Sequence, residues 1–278
     1  MALMNRDGES TAWSADQALL QANFRAAVEL HDQEWFTTIP EADKSDVYAR
    51  ESATEASDVF VDRLPEEIAA YFGLTYHDLR DRAFEGLTAD IGPGKSELLA
   101  SLFTGKNQLV AVDLEPRHVR HQAAMGITAL QGDGCALPCP PFEDDSVRTL
   151  FAVFSLPYWS PTKAKAAAFC DELVRVLQPG GAGTAFVGSL IPHGLDQEWE
   201  QGVQARSQLA DADTTTIRPW GGAADRALSS LVLASYGRRL LEYIDAGVVA
   251  AHWTRLSDGT PEPSTAWYVP NFARITKL

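Results

Sequence analysis

From Leu87 onward, short apolar runs alternate with helical stretches, and that alternation limits the possible folds more than any other feature of the chain. The runs are LTADI (87–91), QLVAVD (108–113), GITAL (126–130), VRTLFAVFS (147–155) and GTAFVGS (183–189). Between them lie helical patterns at about 95–104, 116–125 and 162–177. Strands separated by helices pair in parallel through right-handed crossovers, so the expected architecture is a layered α/β sandwich. Near the end, a helix over about 226–245 precedes GVVAAHWTRL (247–256) and TAWYVPNFARIT (265–276), joined by the turn DGTPEP. Those two runs predict an antiparallel hairpin on the sheet edge, giving a seven-stranded, mostly parallel sheet.

No strand signal precedes Leu87. Ala18, Leu19, Ala22, Ala26 and Leu30 recur at helical spacing from Ser14, a candidate N-cap, to about Asp32. Shorter helices are expected over roughly 45–62, 65–72 and 76–84. Residues 1–86 therefore read as an N-terminal helical lid or cap, and residues 87–278 as the α/β domain. The cap is also the acidic part of the chain. It holds 18 Asp/Glu against 7 Lys/Arg, a net of −11 out of the whole chain's −15, which leaves −4 for the remainder. A field of that sign repels polyphosphate and argues against a nucleic-acid partner.

Cys135, Cys139 and Cys170 are too few for a disulfide framework and fit a reducing compartment. No second pair or nearby His completes Cys135 and Cys139 as a metal site, so no metal is expected. No apolar run reaches the roughly 18–20 residues of a membrane span, and MALMNRDGES lacks a signal-peptide pattern. The expectation is a cytoplasmic protein with no membrane partner.

The segment ADIGPGKSELL (89–99) carries the most chemical information. A strand ends at Asp90–Ile91, Gly92 and Gly94 follow, and a helix is expected to open near Lys95. Gly-rich turns of this kind allow close backbone approach to a ligand. A phosphate-binding loop matches Ala89 through Ser96 loosely, but Asp90 would set a carboxylate among anionic phosphates. A nicotinamide-dinucleotide loop wants a third glycine where Glu97 stands. S-adenosyl-L-methionine (SAM) is cationic at sulfur and carries an ammonium and no phosphate, so an acid beside the turn is useful. Nineteen residues after Gly94, the next run ends in Asp113, where an acid can accept both ribose hydroxyls or, alternatively, cap the following helix. After the third run, GDGCALPCPPFEDDSV places Asp133 where it can accept from an adenine amino group.

With FSLPYW after the fourth run and RVLQPGG (175–181) before the fifth, residues 87–278 resemble the class I SAM-dependent methyltransferases. Their first motif, D-x-G-x-G-x-G, is matched by Asp90, Gly92 and Gly94, with Ser96 in place of the third glycine. The resemblance implies a Rossmann-like three-layer fold, SAM as cofactor and S-adenosyl-L-homocysteine (SAH) as product. The cofactor contacts it implies are Asp90, Gly92, Pro93, Gly94, Asp113, Leu114, Asp133, Gly134, Phe154 and Ser155.

Methyl transfer is an in-line displacement, served mainly by proximity, with a base only for a protonated acceptor. Tyr158 and Trp159 can wall the acceptor pocket or pack a lid. SLPY partly resembles the S-P-P-Y form of amino-methyltransferases, although Leu156 breaks the match. His193, in GSLIPHG, is a candidate general base, with Tyr158 as an assisting hydroxyl. Tyr48 and Arg218 are further candidate substrate contacts, Arg218 suiting a carboxylate or phosphate. The polar stretch 195–225 is a candidate substrate-covering insertion. His118 and His121 read as a solvated helix face. The acceptor expected is a small molecule, and a homodimer is allowed. Two rival readings stay open: a SAM-binding sensor without methyl transfer, and a DNA-binding regulator. The latter rests on IAAYFGLTYHDLRDRAF (68–84), where Ala69, Gly73 and Leu79 match helix-turn-helix spacing.

Overall fold

The structure is a computed structural model describing residues 11–34, 65–153, 155, 163–188, 235–254 and 272–278. Seven strands form one sheet: β1 Gly86–Ile91, β2 Asn107–Asp113, β3 Thr128–Gln131, β4 Val147–Val153, β5 Thr184–Gly188, β6 Val249–Thr254 and β7 Phe272–Lys277. Their spatial order is β3-β2-β1-β4-β5-β7-β6. Strands β1 to β5 pair in parallel, whereas β7 runs antiparallel between β5 and β6. All five expected parallel strands and the terminal hairpin are therefore present. The central strands are buried on both faces, which explains why they read as continuous apolar runs.

The helices divide between the two faces. The described helices are α1 Thr11–Glu34, α2 Pro65–Tyr71, α3 Tyr76–Arg82, α4 Leu98–Ser101, α5 Pro116–Ala124, α6 Lys163–Val176 and α7 over 235–245. One core joins Phe24 and Val28 of α1 with Phe169 and Leu173 of α6, Tyr236 and Leu240 of α7, and strand residues including Trp253. The other joins Ile68 and Phe72 of α2, Leu79 of α3, Leu98 and Leu99 of α4, and Phe151, Phe186 and Phe272. Phe72 meets Phe186 and Phe272 edge-on at 5.0 and 5.5 Å, and Tyr71 stacks on Phe272 at 4.8 Å. Helices α1, α2 and α3 of the front segment are thus built into the sheet's two faces; residues 35–64 lie outside the described residues.

Two boundaries differ from the sequence reading. Ser14 lies inside α1, which already runs from Thr11. The helix expected over 95–104 is a single turn, Leu98–Ser101, because Pro93 to Glu97 remain in the turn after β1.

Helix α1 also shields the open edge of the sheet. Gln17 Nε2 donates to the Trp253 carbonyl at 2.9 Å, and the Trp253 N–H donates to Gln17 Oε1 at 2.7 Å. One side-chain amide thereby satisfies both groups of a residue on edge strand β6. Close packing of α1 on α7 depends on Gly237, where an added Cβ would stand 2.6 Å from Val28 Cγ2 and 3.0 Å from Phe24 Cζ. Gly237→Val is expected to cost on the order of 2 kcal/mol through overpacking, read as a lower urea midpoint at unchanged slope.

The strand order reverses between β1 and β4: β2 and β3 lie to one side of β1, β4 and β5 to the other. Loops leaving neighbouring strands there turn to opposite faces and open a crevice at the strands' carboxyl ends. The glycine segment lies at that crevice.

Candidate functional site

Three strand ends supply the site. Asp90 is the penultimate residue of β1, Asp113 the last of β2, and Ser155 follows the end of β4. In-register pairing of Asp90 with Ala111 and Ile91 with Val112 sets the β1 and β2 ends side by side.

The turn after β1 has few backbone donors left to offer. The Gly92 N–H donates to the Val112 carbonyl at 2.8 Å, and the Ser96 N–H to the Pro93 carbonyl at 3.0 Å. The Gly94 N–H donates to Asp113 Oδ2 at 3.1 Å, and Pro93 has no N–H. A phosphate cradle needs such groups converging on the ligand. Here they turn into the protein, which counts against the phosphate-loop reading. Gly92 and Gly94 have φ of 71° and 59°, the left-handed region that glycine tolerates. Ser96, in the third-glycine position, accepts from the Leu98 N–H at 3.2 Å, and Lys95 is exposed.

Asp113 is 7% exposed. Its Oδ1 accepts the Glu115 N–H at 2.9 Å, its Oδ2 accepts the Gly94 N–H, and His118 Nδ1 lies 3.4 Å from Oδ2. The N-cap of α5 is Glu115, so Asp113 is not the helix cap. A carboxylate offers about four lone-pair directions. The two backbone donors leave acceptor capacity for a ligand's hydroxyl pair.

Asp90 is buried, with the Ile91 N–H as its backbone donor. Burial and then the nearby negative charge of Asp113 push its carboxyl up to about 8. A cation at this position would relieve both effects, so the group fits an ammonium and opposes an anion.

Asp133 lies beyond β3 and is 29% exposed at its side chain. Its Oδ1 accepts the Cys135 N–H at 2.9 Å, while Lys165 Nζ donates to Oδ2 at 2.6 Å. Burial, the largest single effect, works to raise its carboxyl, but the contacts with Lys165 and Cys135 together outweigh burial and hold it below the usual range. It is an ionised acceptor already shared with a lysine, a partner the sequence reading did not supply. Leu114 is exposed beside Asp113, Pro93 and Gly134 are buried, and the Ser155 hydroxyl is buried without a partner among the described residues. An apolar Leu114 wall beside acceptors suits a nucleoside. Phe154, Tyr158, Trp159, His193, Arg218 and Tyr48 lie outside the described residues, as does the 195–225 stretch.

Helix α5 corrects the sequence reading. His118 is 6% exposed and faces Asp113 rather than solvent. Gln122, one helical turn on, is fully buried and was not singled out. Its Nε2 donates to the carbonyls of Gly94 at 3.1 Å and Ser96 at 2.8 Å. Their i, i+4 spacing puts both on one face. The available signal was that spacing beside a glycine turn.

The 68–84 segment does form two short helices around Gly73, with Thr75 and Asp78 closing a reciprocal capping box. Ala69 and Leu79 are buried in the aromatic core, and the outer face sets Asp78, Asp81 and Glu85 against Arg80 and Arg82. That face gives no positive excess for a phosphate backbone. Among the described residues no group of three or more His, Cys, Asp or Glu could hold a metal ion, and no helix is long and apolar enough to cross a membrane.

Residues 89–184 match the family profile described as a methyltransferase domain. The chain is similar to several solved structures. One is the YcgJ protein from Bacillus subtilis, at 18% identity and TM-score 0.41, over 67% of this chain and 70% of that one. A second is a SAM-dependent methyltransferase from Aquifex aeolicus, at 14% identity and TM-score 0.42, over 80% and 96%. A third is magnesium protoporphyrin IX methyltransferase from Synechocystis with bound SAH, at 12% identity and TM-score 0.45, over 85% and 100%. No curated protein sequence gives a significant match. The profile match runs from β1 to the start of β5 and so contains the glycine turn, Asp113 and the strand-order reversal. Residues 89–184 of the chain are thus similar to a methyltransferase domain, and the sheet order 3-2-1-4-5-7-6 is the mostly parallel sheet with a terminal antiparallel pair that the sequence led one to expect.

Proposed function

We propose that the protein transfers a methyl group from SAM to an O, N or C atom of a small-molecule acceptor, mainly by holding the two partners in line. The observation that carries this reading is the pair of buried acids at the strand-order reversal, Asp90 and Asp113, beside a turn whose N–H groups face inward. Such a site favours a cationic, hydroxyl-bearing ligand over a phosphate. In this assignment Asp90 faces the ammonium, directly or through water, and Gly92, Pro93 and Gly94 lie along the amino-acid tail. Asp113 takes the ribose hydroxyls, Leu114, Asp133 and Gly134 border the adenine, and Phe154 and Ser155 flank the cofactor. The bound cofactor supplies an electrophilic methyl group on sulfonium; the chain supplies alignment and exclusion of water.

The acceptor side is assigned to the helical front segment, residues 1–86, and to the 195–225 insertion over the remaining body. Tyr48, Tyr158, Trp159 and Arg218 are the proposed acceptor contacts, with His193 as general base and Tyr158 as an assisting hydroxyl. The net −11 of the front segment supports neutral or amine-bearing acceptors over large anions. Cytoplasmic residence follows from the same reading, and a homodimer is compatible with it.

The experiment is incubation with SAM carrying a labelled methyl group and a panel of small hydroxyl, amine and carbon acceptors. Label in a small product, lost in His193→Ala by about 10²-fold or more if His193 is the base, supports the proposal. Binding of SAM with no methyl transfer to any acceptor would instead favour the sensor reading.

A further inference from the structure

We infer that Gln122 is a positioning residue of the cofactor pocket, fixing the glycine turn together with Asp113. The inference rests on the assignment of that turn to SAM. Gly94 is gripped at both ends of its backbone: its N–H donates to Asp113 Oδ2 at 3.1 Å, and its carbonyl accepts from Gln122 Nε2 at 3.1 Å. The same Nε2 also donates to the Ser96 carbonyl at 2.8 Å, so one amide bridges the two ends of the Gly94–Ser96 turn. Two backbone carbonyls can be met only by the NH₂ end, which fixes the amide's orientation.

The cost of that orientation shows what the residue serves. Gln122 is fully buried, and its Oε1 has no hydrogen-bond partner among the described residues. A buried acceptor without a partner is unfavourable, and an apolar side chain of similar length would fill the same volume without that penalty. An amide held there at the expense of its own oxygen stabilises the turn's shape more than the packing of α5. The turn needs outside support because glycines at 92 and 94 leave its backbone conformationally free, and the helix that follows is only the single turn Leu98–Ser101. A four-residue helix gives the loop little rigidity of its own. Asp113 and Gln122, one from β2 and one from α5, replace it.

The test is SAH affinity by calorimetry on the full chain, with amide hydrogen exchange and thermal unfolding measured on the same protein. Gln122→Met keeps length and volume and removes both donors. The expected result is SAH binding weakened about tenfold with faster exchange confined to residues 92–98, strands β1 and β2 staying as protected as before. Should that variant not fold, Gln122→Glu, which keeps the length, is judged by the same criteria. SAH affinity within twofold of wild type would overturn the inference, as would an affinity loss accompanied by loss of protection across the whole sheet. Failure of the wild-type protein to bind SAH would overturn the assignment of the turn itself.

Discussion

Asp90→Asn is expected to make the cofactor-free protein more stable while weakening its hold on SAM. Burial and the Asp113 charge push the Asp90 carboxyl up to about 8 in the folded chain, against 3.8 for an ordinary aspartate. Between those values the unfolded chain is ionised at this residue while the folded chain still carries the proton. The folded state therefore binds more protons, and this residue's contribution to stability declines as pH rises from 3.8 towards 8. An asparagine removes that loss. The gain at pH 7.5 is on the order of 2 kcal/mol, since each unit of raised pKa corresponds to about 1.4 kcal/mol and the amide brings its own unmet donor. Urea unfolding across pH checks it: the gap between variant and wild type should be small near pH 4 and widen up to pH 8. The same proton governs binding. An ammonium favours the ionised carboxylate, so SAH affinity should fall as pH drops from 8 to 6, by up to about tenfold per unit, and Asp90→Asn should flatten that slope. A stability gap that closes with rising pH would contradict the burial argument.

Asp113→Ala is expected to remove SAH binding almost entirely, by about 100-fold or more. Three contacts disappear together: the Glu115 N–H at 2.9 Å, the Gly94 N–H at 3.1 Å and the His118 Nδ1 at 3.4 Å. The proposed ribose acceptor goes with them. Unsatisfied buried donors each cost roughly 1–3 kcal/mol, so the variant should also lose several kcal/mol of stability. Asp113→Asn separates the two roles, because its single carbonyl oxygen can serve one backbone donor but not both. Its stability should fall between those of the alanine variant and the wild type, with binding still impaired. Equal SAH affinity in the alanine variant and the wild type would show that the β2 acid has no part in the site.

How much of this was legible in the sequence depended on whether apolarity marked the inside. It did for the strands: runs such as QLVAVD and GTAFVGS are buried on both faces and fell within one or two residues of β2 and β5. The hairpin was legible because DGTPEP separates two β-rich runs, and β6 and β7 pair within them. Helix α5 reversed the rule. Its buried residues are His118 and Gln122, both polar, turned inward because the glycine turn and Asp113 need partners there. A reading that sends polar residues to solvent must misplace them. Asp113 itself was found by spacing, but its grip on the Gly94 N–H depends on three-dimensional closure of the turn. The one-turn α4 was overextended for a related reason. Leu98, Leu99 and Leu102 look like the start of a longer helix, whereas the chain before Leu98 is held in the turn by Asp113 and Gln122. Lys165, paired with Asp133 from α6, is 32 residues away in sequence and left no local trace.

The most direct test of the central claim is a calorimetric titration of the intact protein with SAH at pH 8, repeated with ATP. The site described here predicts one SAH bound per chain and no detectable ATP binding, because two buried acids and inward-facing N–H groups oppose a triphosphate. Saturable binding of ATP without binding of SAH would contradict it.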